Sequence, residues 1–291
     1  MSFSQAIIMG IVQGLTEFLP VSSSGHLAIF KNILKIDTEM GILFDVLLHV
    51  ATLIAVFLVY YKDIIRMITE FFKIVSDCVR NGIRFFRNLF SKEKLPYKKL
   101  ATSSYRRFVI LIIVSTIPTA IIGALLKSVV EGVSGNLLVT GVCLLGTGGI
   151  LLLSGFAAEG SKKPREASYP DAVAIGVTQG IATLPGLSRS GSTITAALLC
   201  GFDRKFAVKY SFIMSMPAIL GALILELSDV ETDLSGSEIG ACIVGMIFAL
   251  VVGYIALRLM IKLVMNRYFK YFSYYCFVIG AISIIAFVVS M

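Results

Sequence analysis

Two short polar runs interrupt an otherwise apolar chain: E-F-L-P-V-S-S-S-G-H at 17 to 26 and P-G-L-S-R-S-G-S-T at 185 to 193. Each holds an S-x-S-G core. Such a turn at a helix N-terminus offers free backbone N–H groups and the positive end of the helix dipole, which together bind anions. Gly25, Gly186 and Gly191 let a ligand approach the backbone closely. The hydroxyls of Ser22, Ser23, Ser24, Ser188, Ser190, Ser192 and Thr193 add donors, and Arg189 adds a planar fork suited to a phosphate. An arginine within apolar chain needs a partner, and a phosphate group is the one these donors suit.

Glu17 follows Gln13 at i, i+4, so both face one side of a helix. That pair can hold a divalent cation, Mg²⁺ or Ca²⁺, through oxygen ligands. Glu17 reads equally as a general base or as a salt-bridge partner of Arg189. His26 lies one residue past the serine turn and can exchange protons with a serine or a leaving oxygen. His49, four residues after Asp45, lacks such company and reads as structural or peripheral.

The elements that must position these groups are membrane helices. Hydrophobic residues make up 57% of the 291 and charged residues only 15%, a balance foreign to a soluble domain of this size. Apolar stretches at about 43–61, 108–126, 137–156, 206–226, 239–257 and 273–290 each match the ~30 Å hydrocarbon core at 1.5 Å rise per residue. The five scattered cysteines lack the spacing of a disulfide or zinc framework and read as small apolar fillers. The N-terminal segment has no basic n-region and is expected to belong to the mature fold.

The net charge of +8 is a topology label. Of the 26 Lys and Arg, 22 fall in four stretches at 62–107, 162–165, 204–209 and 258–270, which marks those loops as cytoplasmic. Nucleic acid is not an expected partner. Acidic connections, notably 226–238 with Asp229, Glu231 and Asp233, fall outside. Residues 66 to 90, apolar with interspersed Arg and Lys, have the pattern of an interfacial cytoplasmic helix.

Segments 3–34 and 170–203 are apolar but broken in the middle, and each half is too short to cross. With a constant offset of 166, Ala6, Gly10, Gln13, Gly14, Ser22, Ser24 and Gly25 align with Ala172, Gly176, Gln179, Gly180, Ser188, Ser190 and Gly191. Charge parity has one segment entering from each side. The expectation is an all-α polytopic protein of one domain: six transmembrane helices and two re-entrant hairpins in an inverted-topology repeat. Repeat one covers about 3–156 and repeat two about 170–291, with both polar runs meeting near the midplane.

The motifs Q-G-L-T-E-F-L-P-V-S-S-S-G-H at 13 to 26 and P-G-L-S-R-S-G-S-T resemble the two signatures of bacterial undecaprenyl-diphosphate phosphatase, the bacitracin-resistance protein family, and the likeness covers essentially the whole chain. The first signature has Glu or Gln followed four residues on by Glu, here Gln13 and Glu17, so this chain lacks the second carboxylate of a two-carboxylate metal site. The resemblance implies hydrolysis of the terminal phosphate of a polyprenyl diphosphate, recycling a lipid carrier for peptidoglycan synthesis. It further implies a divalent-metal requirement, bacitracin resistance, a multi-pass plasma-membrane protein and a site open to the extracytoplasmic side. A homodimer is one oligomeric state it allows. The phosphohistidine lipid phosphatases also carry S-G-H and S-R signatures, but Thr195 stands where their second histidine would be. On this reading Arg189 and the hairpin amides hold the diphosphate, Glu17 with Gln13 positions metal or base, Ser23 or a water attacks, and His26 handles the proton. The rival class is a transporter or flippase of polyprenyl phosphate using the same site, since broken inverted repeats are also carrier architecture. A non-catalytic scaffold fits the buried polar cluster poorly.

Overall fold

The computed structural model describes residues 1–36, 38–91, 93–133, 135–227 and 235–290, apart from the side chains of 38–42, 225–227 and 290. The acidic residues Asp229, Glu231 and Asp233 therefore lie outside the described residues. Ten α-helices follow in chain order: α1 (Phe3–Phe18), α2 (Ser23–Leu34), α3 (Thr38–Phe90), α4 (Ser104–Val133), α5 (Leu137–Leu153), α6 (Tyr169–Ile181), α7 (Arg189–Leu199), α8 (Arg204–Leu227), α9 (Gly236–Met265) and α10 (Tyr271–Ser290).

Six of these, α3, α4, α5, α8, α9 and α10, are long and apolar enough to cross a membrane. They coincide with the six stretches read from the sequence, because length and hydropathy alone set that signal. The protein is a multi-pass all-α membrane protein. The remaining four helices are short: 16, 12, 13 and 11 residues for α1, α2, α6 and α7. At 1.5 Å per residue each falls short of a ~30 Å core.

The division between the spanning stretch and the segment 66–90 falls at Tyr60, where the backbone leaves helical geometry (φ −113°, ψ 18°) and two helices meet across a kink within α3. No Pro or Gly marks that kink in the sequence.

Small residues govern how the short helices pack. A side chain on Gly10 of α1 would strike the Gly245 carbonyl of α9, and one on Gly14 would come within 2.8 Å of Ala249 O and Gly253 N. On α6, Gly176 abuts the Ser115 carbonyl of α4, and a Cβ on Gly180 would lie 2.7 Å from the Ile122 side chain. Lipid gives helices no hydrophobic reason to associate, so close backbone approach and interhelical hydrogen bonds must do so. Ser115 Oγ donates to Ala172 O at 2.7 Å and Thr119 Oγ1 to Gly176 O at 2.8 Å. Helices α5 and α10 meet through Gly141 and Gly280, where a Cβ on Gly141 would lie 2.8 Å from Gly280 O.

Candidate active site

Both serine turns cap helices in the same way. Ser22 is the N-cap of α2, its Oγ accepting from Gly25 N at 3.3 Å; Ser188 is the N-cap of α7, its Oγ accepting from Gly191 N at 3.0 Å. Serine is favoured there because its short oxygen replaces a missing helical acceptor. Ser22 adopts φ 68° and Gly186 φ 96°, so each turn contains a residue in a backbone region that ordinary side chains rarely adopt. The two turns also touch. A Cβ on Gly25 would lie 3.3 Å from Gly186 Cα, and one on Gly191 would lie 3.1 Å from Pro20 Cβ. From α5, Thr147 Oγ1 donates to Gly186 O and accepts from Ser188 N, both at 2.9 Å.

Glu17, on the last turn of α1, is the hub. Its Oε2 accepts from Ser23 Oγ at 2.7 Å and from Gln13 Nε2 at 3.1 Å, while Arg189 Nη2 pairs with Oε1. The salt-bridge partnership raised from sequence is thus made directly. His49, read from sequence as structural or peripheral, stands beside this group: its Nε2, on α3, is 3.8 Å from Glu17 Oε2. His49 Nδ1 lies 2.8 Å from the Asp45 carbonyl. A carbonyl can only accept, so Nδ1 carries hydrogen and Nε2 faces the carboxylate. Beside this hub lies a narrow crevice of about 10 Å³, lined by Glu17, Thr52, Arg189, Ser190, Ser211 and Ser215 together with apolar Phe18, Val56, Phe212 and Ile219.

The other sequence-selected residues fall into different places. The hydrogen bonds of His26 go elsewhere than to Glu17 or Ser23: its Nδ1 lies 2.8 Å from Ser22 O and its Nε2 2.8 Å from the hydroxyl of Tyr275 on α10, the two rings nearly parallel. In the neutral ring Nδ1 donates to the carbonyl, so the Tyr275 hydroxyl donates to Nε2. Tyr275 carries no sequence signal, being one aromatic in an apolar span. Thr193 Oγ1 donates to Arg189 O at 2.8 Å and lies 2.6 Å from Ser211 Oγ, which ties α7 to α8. Ser22 and Ser188 spend their oxygens on caps, whereas Ser24 is exposed on the turn. Ser192 Oγ is buried without a hydrogen-bond partner among the described residues.

For a divalent cation the relevant atoms are the Gln13 and Glu17 oxygens. Among the described residues Gln13 Oε1 is buried without a hydrogen-bond partner, an acceptor left open for a cation or a donor. Among the described residues no three or more His, Cys, Asp or Glu cluster together. The pair therefore fits as a partial ligand set that phosphate oxygens would have to complete.

Comparison with known proteins agrees with this arrangement. Residues 6–282 match the family described as bacitracin resistance protein BacA. An undecaprenyl-diphosphatase of Methanobrevibacter smithii is 42% identical over 283 residues, covering 97% of this chain and 96% of the relative. Undecaprenyl-diphosphatases of Methanosphaera stadtmanae and Alkaliphilus metalliredigens are 40% and 39% identical, with 98% of both chains covered in each case. With both polar runs and all six long helices inside the matched region or overlapping it, the chain belongs to the bacitracin resistance protein BacA family.

Proposed function

We propose that the protein hydrolyses undecaprenyl diphosphate to undecaprenyl phosphate and inorganic phosphate, recycling the lipid carrier of cell-wall synthesis. The observation that carries this reading is the Glu17 carboxylate held between two hairpins, with Ser23 on one oxygen and Arg189 on the other. The family relationship supplies the substrate class.

The chemistry follows from the distances. Ser23 Oγ attacks the terminal phosphorus as its proton passes to Glu17 Oε2, the nearest acceptor at 2.7 Å. The bond from that phosphorus to the bridging oxygen breaks, and the polyprenyl monophosphate leaves. Water then cleaves the phosphoserine, releasing phosphate and restoring the hydroxyl. Arg189 turns from Glu17 to the phosphate, and the first amides of α2 and α7 offset the charge that develops there. Gln13 Oε1 and Glu17 would hold a divalent cation, which when bound would draw charge from the phosphate. His26 enters this scheme through Ser22: it holds the carbonyl of the turn that presents Ser23, with Tyr275 fixing the ring.

The helix starts support an inverted-topology repeat of two re-entrant hairpins within one domain. Helices α1, α2 and α3 begin at 3, 23 and 38; α6, α7 and α8 begin at 169, 189 and 204, each 166 later. Packing is reciprocal, α1 on α9 and α6 on α4, through equivalent glycines. In this arrangement the hairpins enter from opposite faces, and the site opens to the extracytoplasmic side.

The same reciprocity favours a second reading, a carrier of polyprenyl phosphate. Purified protein incubated with isoprenyl diphosphates, with and without chelator, separates the two. Phosphate release establishes the hydrolase, and chelator sensitivity the cation; translocation of polyprenyl phosphate without phosphate release would establish the carrier instead.

A further inference from the structure

Beyond Tyr60, α3 runs a further 30 residues, about 45 Å at 1.5 Å per residue. That stretch repeats every seven residues. Ile65, Phe72, Val79 and Phe86 occupy one position, and Arg66, Lys73, Arg80 and Arg87 the next. With Ile68, Val75, Ile83 and Phe90, the first row forms an apolar face open along its length; Phe72, Val79 and Phe86 are 65%, 59% and 64% exposed. The four basic residues are exposed along one edge of it.

The opposite face is already occupied. Asn81 and Asn88, also seven apart, each hold the backbone of the following segment in two hydrogen bonds, Asn81 with Lys98 and Asn88 with Leu95. Arg106 bonds Glu70 at 3.0 Å and Asp77 at 2.8 Å, and Lys98 meets Asp77 at 2.9 Å. The acidic groups of the helix in this region are thus neutralised, Glu70 also by Lys73 of the basic edge at 2.8 Å, and Arg66 lies over the Tyr105 ring at 4.2 Å. The open side carries the apolar rows, the small polar Thr69 and Ser76, and the exposed cations Arg80 and Arg87.

We propose that this open face is a docking surface for the anionic headgroup layer of the bilayer. This helix follows a membrane span across the kink at Tyr60, so lipid is within reach of its first turns. Its apolar face is wider than the two-row seam of a coiled coil, and its charged edge has one sign. An interfacial helix needs that combination, with basic side chains extending to headgroups while aromatic rings enter the acyl boundary. A second copy of the chain would bring no acidic row to match the basic one, because Glu70 and Asp77 are taken.

The test uses the full chain in nanodiscs, its five cysteines replaced, with a nitroxide at Phe72→Cys, Val79→Cys or Phe86→Cys and a reference at Lys163→Cys. In phosphatidylcholine with phosphatidylglycerol, the three stripe labels should show a several-fold higher ratio of oxygen to nickel-chelate accessibility than the reference. Adding Lys73→Gln, Arg80→Gln and Arg87→Gln should lower that ratio in the anionic membrane while phosphate release from polyprenyl diphosphate persists. Water-like accessibility at all three stripe sites would overturn the proposal. So would dipolar coupling between labels on two chains, which marks a self-associating face, or indifference to the charge substitutions.

Discussion

Ser23 and Arg189 bind opposite oxygens of one carboxylate, and they are the same position of the two hairpins, the first residues of α2 and α7, 166 apart. One copy contributes a hydroxyl and the other a guanidinium. The duplicated turn has thereby become asymmetric, with the proposed nucleophile and the proposed phosphate receptor on opposite oxygens of Glu17.

Arg189→Lys keeps the positive charge and the attraction to Glu17 but loses the planar fork. Turnover should fall by roughly 10²–10³, the scale of losing a preorganised donor to developing charge. Initial rates on folded, monodisperse protein check this; near-normal turnover would remove the bidentate role.

His49 faces the oxygen of Glu17 that also takes Ser23. His49→Ala should lower kcat by about ten- to a hundredfold, the range for a group that orients another. KM should change little, and the loss should vanish in a Glu17→Gln background. Additive losses in the double variant would show that His49 acts apart from Glu17.

The glycines make a prediction of opposite signs. Gly10→Ala and Gly176→Ala each drive a methyl into a backbone carbonyl and should destabilise by about 1–3 kcal/mol. Gly123 of α4 has open space around it, so Gly123→Ala should be neutral or stabilise by up to ~1 kcal/mol. Thermal unfolding in detergent reads all three, and equal melting temperatures would refute the packing assigned to α1 and α6.

The inverted arrangement of the hairpins is checked by labelling single cysteines in a cysteine-free chain. Lys35→Cys should react from the outside of intact cells, and Lys163→Cys only after permeabilisation. Reaction of both from one side would refute the arrangement.

How much of this was legible before the fold follows from where each signal resides. The six long helices were readable because hydropathy over twenty residues is a local quantity. The meeting of the two serine turns was readable because the repeat preserves Gly10, Gly14 and the S-x-S-G core, the residues that close packing and capping require. His49 was read as structural or peripheral because it lies 32 residues from Glu17 and four after Asp45, whose backbone carbonyl it bonds. Tyr275 is 249 residues from His26, and an aromatic in an apolar span has no periodic signature. The division of α3 into a span and a basic amphipathic part was readable from the onset of Lys and Arg after Tyr61, whereas the kink geometry at Tyr60, which no Pro or Gly marks, was not.

The proposed chemistry passes through one bond, from Ser23 Oγ to the terminal phosphorus. Rapid-quench mass spectrometry of the protein turning over undecaprenyl diphosphate tests it most directly. A phosphorylated peptide containing residue 23, forming and decaying at rates that support turnover and missing from an inactive Ser23→Ala protein, is the expected result. Substantial phosphate release by Ser23→Ala, with no phosphopeptide at any quench time in the parent chain, would contradict it and leave water as the nucleophile.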